Sequence, residues 1–583
     1  MRIVYTLSIR NLQTAIMKRI VTLHPKVVCW AAMVLLPCFG FAQTNLKCWY
    51  QGDIAQDSVY GISLNKAYSF LAGKKAQPVI VAVIDSGIDT AHQSLKGVLW
   101  TNTKEIPGNG VDDDGNGYID DVHGWNFLGN KNGTDLRKDV DERSRLYYRY
   151  KSRFVGQAIN SDSLNETDKW LYSQWQKAAA QMNISTDEQM EIALLDFTCK
   201  AFRKHEQVIR QELNKDIFTN GDVENFKPAT SKGKQAKLGY ITCLKMFGVD
   251  QNNETNTNIL NELKDYIEGK KQSLEVKKSQ PEDYRKSIIN DNYLDFNDRF
   301  YGNNDIMGPA PMHGTHVSGI IAGKQADANG GVHGVAAGVQ IMMIRAIPDG
   351  DEYDKDVALA IRYAVDNGAK VINMSFGKSF SPEKRWVDEA VEYAASKDVL
   401  LVHAAGNESH DIDTVENFPN SQLKEYSSKA ANFITVGASG DPHVGDGRLV
   451  ADFSNFGVNT VDIMAPGVKI YSTLPGGSQY GFEQGTSMSA PVVTGVAALI
   501  RSYFPALTAR QVKFAIERSA LHLVDSTIEV KEPGTGRLVN LANLCTTAGL
   551  LNAYNAVQLA AEIKPEQAHN DAALNAQKSI IKH

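Results

Sequence analysis

The sequence of 583 residues has little cysteine and no strong excess of either charge. It contains 61 Lys and Arg against 67 Asp and Glu, a net charge of −6, and these charges are spread along the chain. The absence of a basic cluster argues against a nucleic-acid partner and against a polybasic membrane patch. Because 43% of the residues are hydrophobic, a chain of this length can bury a large core. We therefore expect a globular protein whose partners are peptides or proteins.

Cysteine is too scarce and too irregularly spaced to predict a metal site. The six cysteines are Cys29, Cys38, Cys48, Cys199, Cys243 and Cys545. The first two lie in a predicted leader, so four thiols remain, which permit two disulfides in three alternative pairings. A Cys199–Cys243 pair is favoured because both residues fall in one inserted region.

The chain also lacks a long apolar run. Its apolar stretch near the beginning, residues 27–36, is short for a membrane span. Lys18 and Arg19 precede this stretch, and Gly40-Phe41-Ala42 follow it, which is the pattern of a signal peptide cleaved after Ala42. The sequence thus predicts export to the periplasm, the cell surface or the medium, with no integral membrane segment after cleavage. A lipoprotein anchor on Cys38 is disfavoured by the Pro before it.

Three glycine-flanked segments carry the residue types of a nucleophilic catalyst. They are residues 81–87 with Asp85, residues 313–319 with His313, and residues 485–491 with Ser487. A serine hydroxyl becomes a strong nucleophile only when a nearby imidazole accepts its proton, and a carboxylate can orient that imidazole.

The surroundings of these residues indicate where each one lies. Asp85 ends the apolar run 79–84, which is typical of a strand buried on both faces of a parallel sheet. His313 opens a helix of small residues, and Ser487 follows a tight turn at a helix start, with Pro491 predicted in the first turn. At that helix start, free backbone N–H groups face the charge that develops on a substrate oxygen.

A fourth segment, residues 399–407, is another apolar run ending in Gly406-Asn407. The amide of Asn407 can donate a hydrogen bond to an oxyanion. We therefore predict Asn407 as an oxyanion donor beside the nucleophile.

The four segments, in the order Asp, His, Asn, Ser, resemble those of the subtilisin-like serine peptidases, the subtilases. The resemblance implies Asp85 as orienting acid, His313 as general base, Asn407 as oxyanion donor and Ser487 as nucleophile. It also implies that Ser375-Phe376-Gly377 form the edge on which an extended peptide substrate pairs. The implied activity is that of a serine endopeptidase, which requires no cofactor for its chemistry.

Apolar strands alternate with helical patterns along most of the chain, which predicts an α/β fold. With the resemblance, we expect a subtilisin-like three-layer fold, a mostly parallel sheet between helices, plus a large mainly helical insertion between the Asp and His motifs. The predicted parts are a leader and signal peptide (1–42), the catalytic domain in two pieces (43–127 and 296–563), the insertion (128–295) and a polar tail (564–583).

The insertion is the main departure from the family pattern. It opens one of its helices with a predicted capping box, Ser185 to Glu188. Its aromatic residues are expected to form a separate helical core: Tyr147, Tyr148, Tyr150, Trp170, Tyr172 and Trp175. An accessory subdomain is the favoured interpretation, with a lid, a substrate-selecting arm or a built-in inhibitor as alternatives.

Residues 112–121 resemble the first half of a calcium loop, since side-chain oxygens alternate up to a glycine. The predicted calcium ligands are Asp112, Asp114, Asn116 and Asp120. Position twelve is His123 instead of the bidentate Glu of an EF-hand loop, so a solvated turn remains an equal alternative.

His316 stands one helical turn after His313, but no third or fourth zinc ligand lies at suitable spacing. We predict that it is a buried histidine bonded within the fold. Two other classes compete with the peptidase: a catalytically silent subtilase-like protein that binds peptides, and a lipase-like hydrolase. The second is disfavoured because the Gly-x-Ser-x-Gly elbow is absent at Ser487.

Overall fold

The computed structural model describes residues 46–157, 159–247, 255–324, 331–423, 429–523 and 529–566. The predicted signal peptide and all but the first residues of the polar tail lie outside these ranges. The described residues form two compact units, one of residues 46–178 and 282–566 and the other of residues 179–281.

A seven-stranded sheet forms the centre of the first unit, with strand order β2-β3-β1-β4-β5-β6-β7. All neighbouring strands are parallel. The strands are β1 Val79–Asp85, β2 Gly124–Asn126, β3 Val339–Arg345, β4 Val371–Met374, β5 Leu400–Ala404, β6 Phe433–Ser439 and β7 Ile463–Pro466. These segments are apolar on both faces, as buried parallel strands must be.

Two hydrophobic cores lie on opposite faces of this sheet. Val81 and Val83 of β1 belong to one core, and the alternate residues Ala82 and Ile84 belong to the other, as expected when successive side chains point to opposite faces. The unit thus has a sheet between two helical layers, which confirms the predicted three-layer α/β fold.

Helices before, between and after the strands accompany the sheet in the first unit. They are α1 Ile54–Asp57, α2 Leu64–Leu71, α3 Glu142–Phe154, α4 Glu166–Gln181 (whose last three residues belong to the second unit), α9 Tyr284–Ile288, α10 Met312–Ala322, α11 Asp354–Asp366, α12 Lys384–Ser396, α13 Thr486–Tyr503, α14 Ala509–Arg518 and α15 Ala553–Glu562. The first core contains residues of α10, α13, α14 and α15, and the second contains residues of α11 and α12.

Two short antiparallel pairs complete the first unit. β8 Ile470–Leu474 pairs with β9 Gln479–Glu483, and β10 Glu529–Lys531 pairs with β11 Leu538–Asn540. Hydroxyls of Ser472 and Thr473 in β8 donate to carbonyls of α10. The β8–β9 pair is therefore fixed to the helix that carries His313.

The second unit consists of helices around a core of its own. They are α5 Thr186–Leu213, α6 Asn220–Asn225, α7 Ser231–Phe247 and α8 Asn256–Lys278. The predicted capping box at Ser185 is present and opens α5. This unit lies inside the predicted insertion of residues 128–295, whose remaining residues belong to the first unit.

The cysteines of the described residues carry free thiols, so the favoured Cys199–Cys243 disulfide is not formed there. Both residues nevertheless lie in the core of the second unit. Across the ranges that the structure describes, no helix combines the length and apolarity required to cross a membrane.

Candidate active site

Asp85 and His313 are joined directly. Asp85 is the last residue of β1 and is fully buried, and His313 is the second residue of α10. The His313 Nδ1–H donates to the Asp85 carboxylate, whose oxygens lie 2.8 and 2.9 Å away. The backbone N–H of Ser86 also donates to Asp85 Oδ1 at 2.7 Å, which fixes the orientation of the carboxylate toward the imidazole.

A glycine allows this close approach. A Cβ atom at Gly314 would lie 2.2 Å from the carbonyl oxygen of Gly87, well inside contact distance. The helix start can therefore lie against the turn that follows β1 only because residue 314 has no side chain. This explains why His313 is followed by glycine.

Ser487 lies at the start of α13, one residue after its first residue Thr486. Its hydroxyl donates to the carbonyl oxygen of Ser375 at 3.1 Å, and within the described ranges His313 Nε2 has no hydrogen-bond partner although it is buried. The structure thus forms the Asp85–His313 pair, but Ser487 points its hydroxyl to Ser375 and not to His313. Hydrogen bonds at catalytic residues often tighten only when substrate binds.

Pro491 is the sixth residue of α13 and lies in its second turn, so the prediction of a first-turn proline is wrong. Since proline has no backbone N–H, it leaves the carbonyl of Ser487, four residues earlier, without its helical donor. The Ser375 hydroxyl donates to this carbonyl at 2.9 Å instead.

The hydroxyl of Ser375 is the middle of a buried chain of hydrogen bonds. It accepts from Asn373 Nδ2 at 2.9 Å, and Asn373 Oδ1 accepts from Thr494 Oγ1 at 2.9 Å. The chain ties the end of β4 to both sides of Pro491 in α13. Asn373 and Thr494 are site residues that sequence reasoning missed, because no motif marks them.

Removing the Ser375 hydroxyl is expected to lower the free energy of unfolding by about 1–3 kcal/mol, since buried polar groups lose their partner. In a Pro491→Ala background, the new alanine supplies an N–H to the Ser487 carbonyl. We therefore expect Ser375→Ala to cost less there, by about 1 kcal/mol, in a double-mutant cycle measured by urea unfolding. Ser472→Ala, whose hydroxyl bonds to α10, is the matched control and should cost the same in both backgrounds. Equal costs of Ser375→Ala in the two backgrounds would contradict the assignment.

Asn407 lies three residues beyond β5 and beside the start of α13. Its Oδ1 accepts hydrogen bonds from the Thr486 backbone N–H at 2.8 Å and from the Thr486 hydroxyl at 3.0 Å. These two bonds fix the orientation of the amide and so the direction of its donor atom, Nδ2. The structure therefore brings Asn407 to the helix start that carries Ser487.

The segment Ser375-Phe376-Gly377 follows β4 directly and lies next to Ser487. His403, in β5, donates from Nε2 to the Phe376 carbonyl at 2.7 Å. Burial lowers the pKa of His403 to about 4, so this imidazole is neutral and acts as a fixed donor. Sequence reasoning missed this residue, whose one signal is that it stands as a single histidine inside the apolar run 399–405.

His316 is fully buried, and its Nε2 donates to the Gly481 carbonyl at 3.3 Å. Burial lowers its pKa to about 3. This is the structural role predicted for it, and the ring links α10 to β9.

Residues 105–121, here called the acidic loop, bring together Glu105, Asp112 and Asp114, with one oxygen of each lying within 4.8 Å of the others. Glu105 is not among the predicted calcium ligands. Asn116 Oδ1 accepts from the Tyr118 N–H, and the Asp120 carboxylate accepts from the N–H groups of residues 108–110. Asp120 therefore serves a neighbouring turn, and the oxygen cluster differs from the predicted set.

Residues 76–554 match the subtilase family. The chain is 36% identical over 264 residues to the thermophilic serine proteinase of Bacillus sp. (strain AK1), covering 45% of this chain and 55% of that protein. It is 36% identical over 217 residues to subtilisin DY of Bacillus licheniformis, covering 37% of this chain and 72% of that protein.

Among solved structures, that of the prenylagaramide maturation protease PagA is similar to this chain, with 26% sequence identity and a TM-score of 0.35. The similarity covers 43% of this chain and 83% of that chain. The chain spans about half the length of the thermophilic proteinase, the first of these relatives. The family match, in contrast, covers most of this chain and includes every segment of the candidate active site. The protein therefore belongs to the subtilase family.

Proposed function

We propose that this protein is a serine endopeptidase that hydrolyses peptide bonds through an acyl-enzyme. The observation that carries the proposal is the buried Asp85–His313 hydrogen bond on helix α10, which packs against α13, the helix with Ser487 at its start. In the proposed reaction, Ser487 Oγ attacks the scissile carbonyl carbon while His313 Nε2 takes the hydroxyl proton. Asp85 holds the imidazole and stabilises its charged form.

The second half of the reaction uses the same groups. His313 gives its proton to the leaving amine as the peptide C–N bond breaks, which leaves the acyl group on Ser487. A water then loses a proton to His313 while its oxygen attacks the ester carbon; the bond between that carbon and Ser487 Oγ breaks, His313 returns the proton to Oγ, and the acid is released as the second product. Ser487 and His313 return to their starting states, so no cofactor takes part.

The substrate is proposed to be an extended segment of a peptide or protein. The edge Ser375-Phe376-Gly377 continues from β4, and an extended chain pairs with such an edge through backbone hydrogen bonds. The His403 bond to the Phe376 carbonyl supports this role because it holds the edge in place.

Asn407 Nδ2 and the backbone N–H of Ser487 are proposed to stabilise the oxyanion. Asn407→Asp keeps an oxygen for the two Thr486 bonds but removes the donor. We expect kcat to fall by about 10²–10³-fold or more with little change in KM, a magnitude taken from a subtilisin. Steady-state kinetics on a peptide anilide measures both values. An Asn407→Asp enzyme with wild-type kcat would exclude the amide from the oxyanion site.

A fluorophosphonate serine probe tests the proposed function directly. The folded protein should be labelled, and mass spectrometry should locate the adduct on Ser487. The unlabelled protein should cleave casein, and the labelled protein should not. Heat-denatured protein is the control and should remain unlabelled. Folded protein that neither labels nor cleaves would favour the competing class, a peptide-binding subtilase-like protein, which the orientation of the Ser487 hydroxyl toward Ser375 also fits.

We also propose a structural calcium ion in the acidic loop, held by Asp112 and Asp114 with Glu105 or Asn116. If calcium binds only the folded state, the free energy of unfolding rises by about 2.7 kcal/mol at a calcium concentration of 100 times Kd. The melting temperature should therefore rise with calcium and fall with chelator, and Asp112→Asn/Asp114→Asn should abolish both effects. Identical melting in calcium and chelator would exclude the site.

We propose that the protein is exported, because residues 17–42 contain a basic, an apolar and a small-residue segment in the order of a signal peptide. N-terminal sequencing of protein secreted by its host should begin at Gln43. A mature protein that keeps residues 17–42 would contradict the proposal.

A further inference from the structure

The second unit exposes an apolar groove between α5 and α7. The groove has a volume of about 400 Å³. Phe197 and Leu238, on its two sides, are each 70% exposed, and Leu194 and Met246 are each 38% exposed. Large apolar side chains that cluster on a surface mark interaction sites more often than isolated ones do.

The groove is built into the packing of the two helices. Below it, Phe202 of α5 stacks on Tyr240 of α7, with ring centroids 4.6 Å apart. A Cβ atom at Gly239 would lie 2.2 Å from the His205 ring, so the glycine lets this ring lie against α7 as part of the floor. The groove therefore rests on a buried core and does not depend on a loop.

Its length suits a helix. Along α5, the lining residues Leu194, Phe197, Ala201 and His205 follow each other at three- and four-residue spacing, which places them on one face. At 1.5 Å per residue, they extend over about 16 Å. An amphipathic helix presents apolar residues with the same spacing and binds such grooves through them.

The charges on α7, which forms one side of the groove, are of one sign. Helix α7 contains four lysines and no acidic residue. On α7, Lys234 stands four residues before Leu238, and Lys245 stands seven residues after it. On α5, Lys204 stands seven residues after Phe197. Each lysine therefore lies on the same helix face as an apolar residue that lines the groove. In the part of the chain that the structure describes, no salt bridge to a carboxylate is formed by any of these three lysines, whereas Lys200 is paired with Asp196.

We propose that the groove between α5 and α7 binds an amphipathic helix of a protein partner, whose apolar face fills the groove and whose Asp and Glu side chains face Lys204, Lys234 and Lys245. A second copy that docks groove to groove is a poorer occupant, because it would bring lysines against lysines. A membrane is also a poorer occupant, since apolar side chains that insert into lipid protrude, whereas these line a concave surface.

A pair of designed peptides of about 18 residues tests this proposal. Both carry Leu on one helical face, and the flanking positions are Glu in one peptide and Lys in the other. The protein is the full chain with Ser487→Ala, so that the proposed hydrolysis cannot consume the probe and binding is scored apart from catalysis. We expect fluorescence anisotropy to show the Glu peptide binding at least about tenfold more tightly than the Lys peptide, with the preference weakening as salt rises.

Two variants at exposed positions separate the apolar and the charged contributions. Phe197→Ser/Leu238→Ser should weaken binding of the Glu peptide by at least about tenfold. Lys204→Glu/Lys234→Glu/Lys245→Glu should reverse the preference so that the Lys peptide binds more tightly. Circular dichroism shows whether each variant keeps its helices.

Three outcomes would overturn the proposal. In the first, the wild-type protein binds neither peptide. In the second, both peptides bind equally and the charge reversal changes nothing. In the third, vesicles containing anionic lipid bind while the Glu peptide does not. In the last case the surface would be a membrane contact.

Discussion

Replacing Ser487 with Ala is expected to lower kcat on a peptide substrate by about 10⁶-fold, the size of the loss when the same residue type is removed from a subtilisin. The variant loses the atom that is proposed to form the acyl-enzyme, while the proposed oxyanion donors at Asn407 and the helix start stay in place. We therefore expect KM to change little. Active-site titration with a burst substrate should detect no acyl-enzyme.

The structure also predicts what this variant should keep. The only hydrogen bond that the Ser487 hydroxyl makes in the described structure is to the Ser375 carbonyl. The backbone carbonyl of residue 487 still accepts from Ser375, so α13 should keep its position. The melting temperature is expected to stay within a few degrees, and activity above about 1% of wild type would contradict Ser487 as nucleophile.

The sheet could be predicted from the sequence because buried parallel strands consist of continuous apolar residues. The run 79–84 predicts a strand ending at Asp85, and β1 spans Val79–Asp85. Polar residues that follow such strands lie at one edge of the sheet, where ligands bind. For that reason the sequence alone places Asp85 and Asn407 at the edge of the sheet that carries the site.

The hydrogen bonds that support Ser487, the proposed nucleophile, cannot be predicted in this way. Ser375 and the Ser487 carbonyl are 112 residues apart, and Asn373 and Thr494 are 121 residues apart. Neither periodicity nor local spacing relates such pairs, since only the packing of α13 on the sheet brings them together. The predicted position of Pro491 is wrong for a related reason, because the turn before Ser487 does not show at which residue the helix begins.

The inserted region departs from its sequence pattern because its charged residues are not all at the surface. Glu142 is fully buried, with its carboxylate bonded to Arg145 at 2.6 Å and Lys378 at 3.0 Å. A charged sequence predicts exposed helices. A buried carboxylate such as that of Glu142 needs a positive partner, and Lys378, which is distant in the sequence, reaches it only in the folded protein. The aromatic residues of the insertion do pack together, since Tyr147 and Tyr172 each stack on Trp175. They belong to the first unit, however, and the core of the second unit is built from other residues.

Asp85→Asn is expected to lower kcat by about 10⁴-fold although it changes the shape of the side chain very little. The reason lies in the two donors that face the carboxylate. Ser86 N–H points at Oδ1 from 2.7 Å, so an amide at residue 85 must place its oxygen there. Its NH₂ group then occupies the second position, 2.9 Å from His313 Nδ1, while its oxygen lies 2.8 Å from the same atom.

That arrangement favours the wrong tautomer of His313. An N–H at Nδ1 would be repelled by the NH₂ group, whereas a bare Nδ1 accepts from it, so the proton of the neutral imidazole shifts to Nε2, which can no longer accept the proton of Ser487. Stopped-flow or steady-state kinetics should show the loss in kcat with KM almost unchanged, and a neutron or NMR measurement should find the proton on Nε2. An Asp85→Asn enzyme with more than about one tenth of wild-type kcat would show that Asp85 does not set the tautomer.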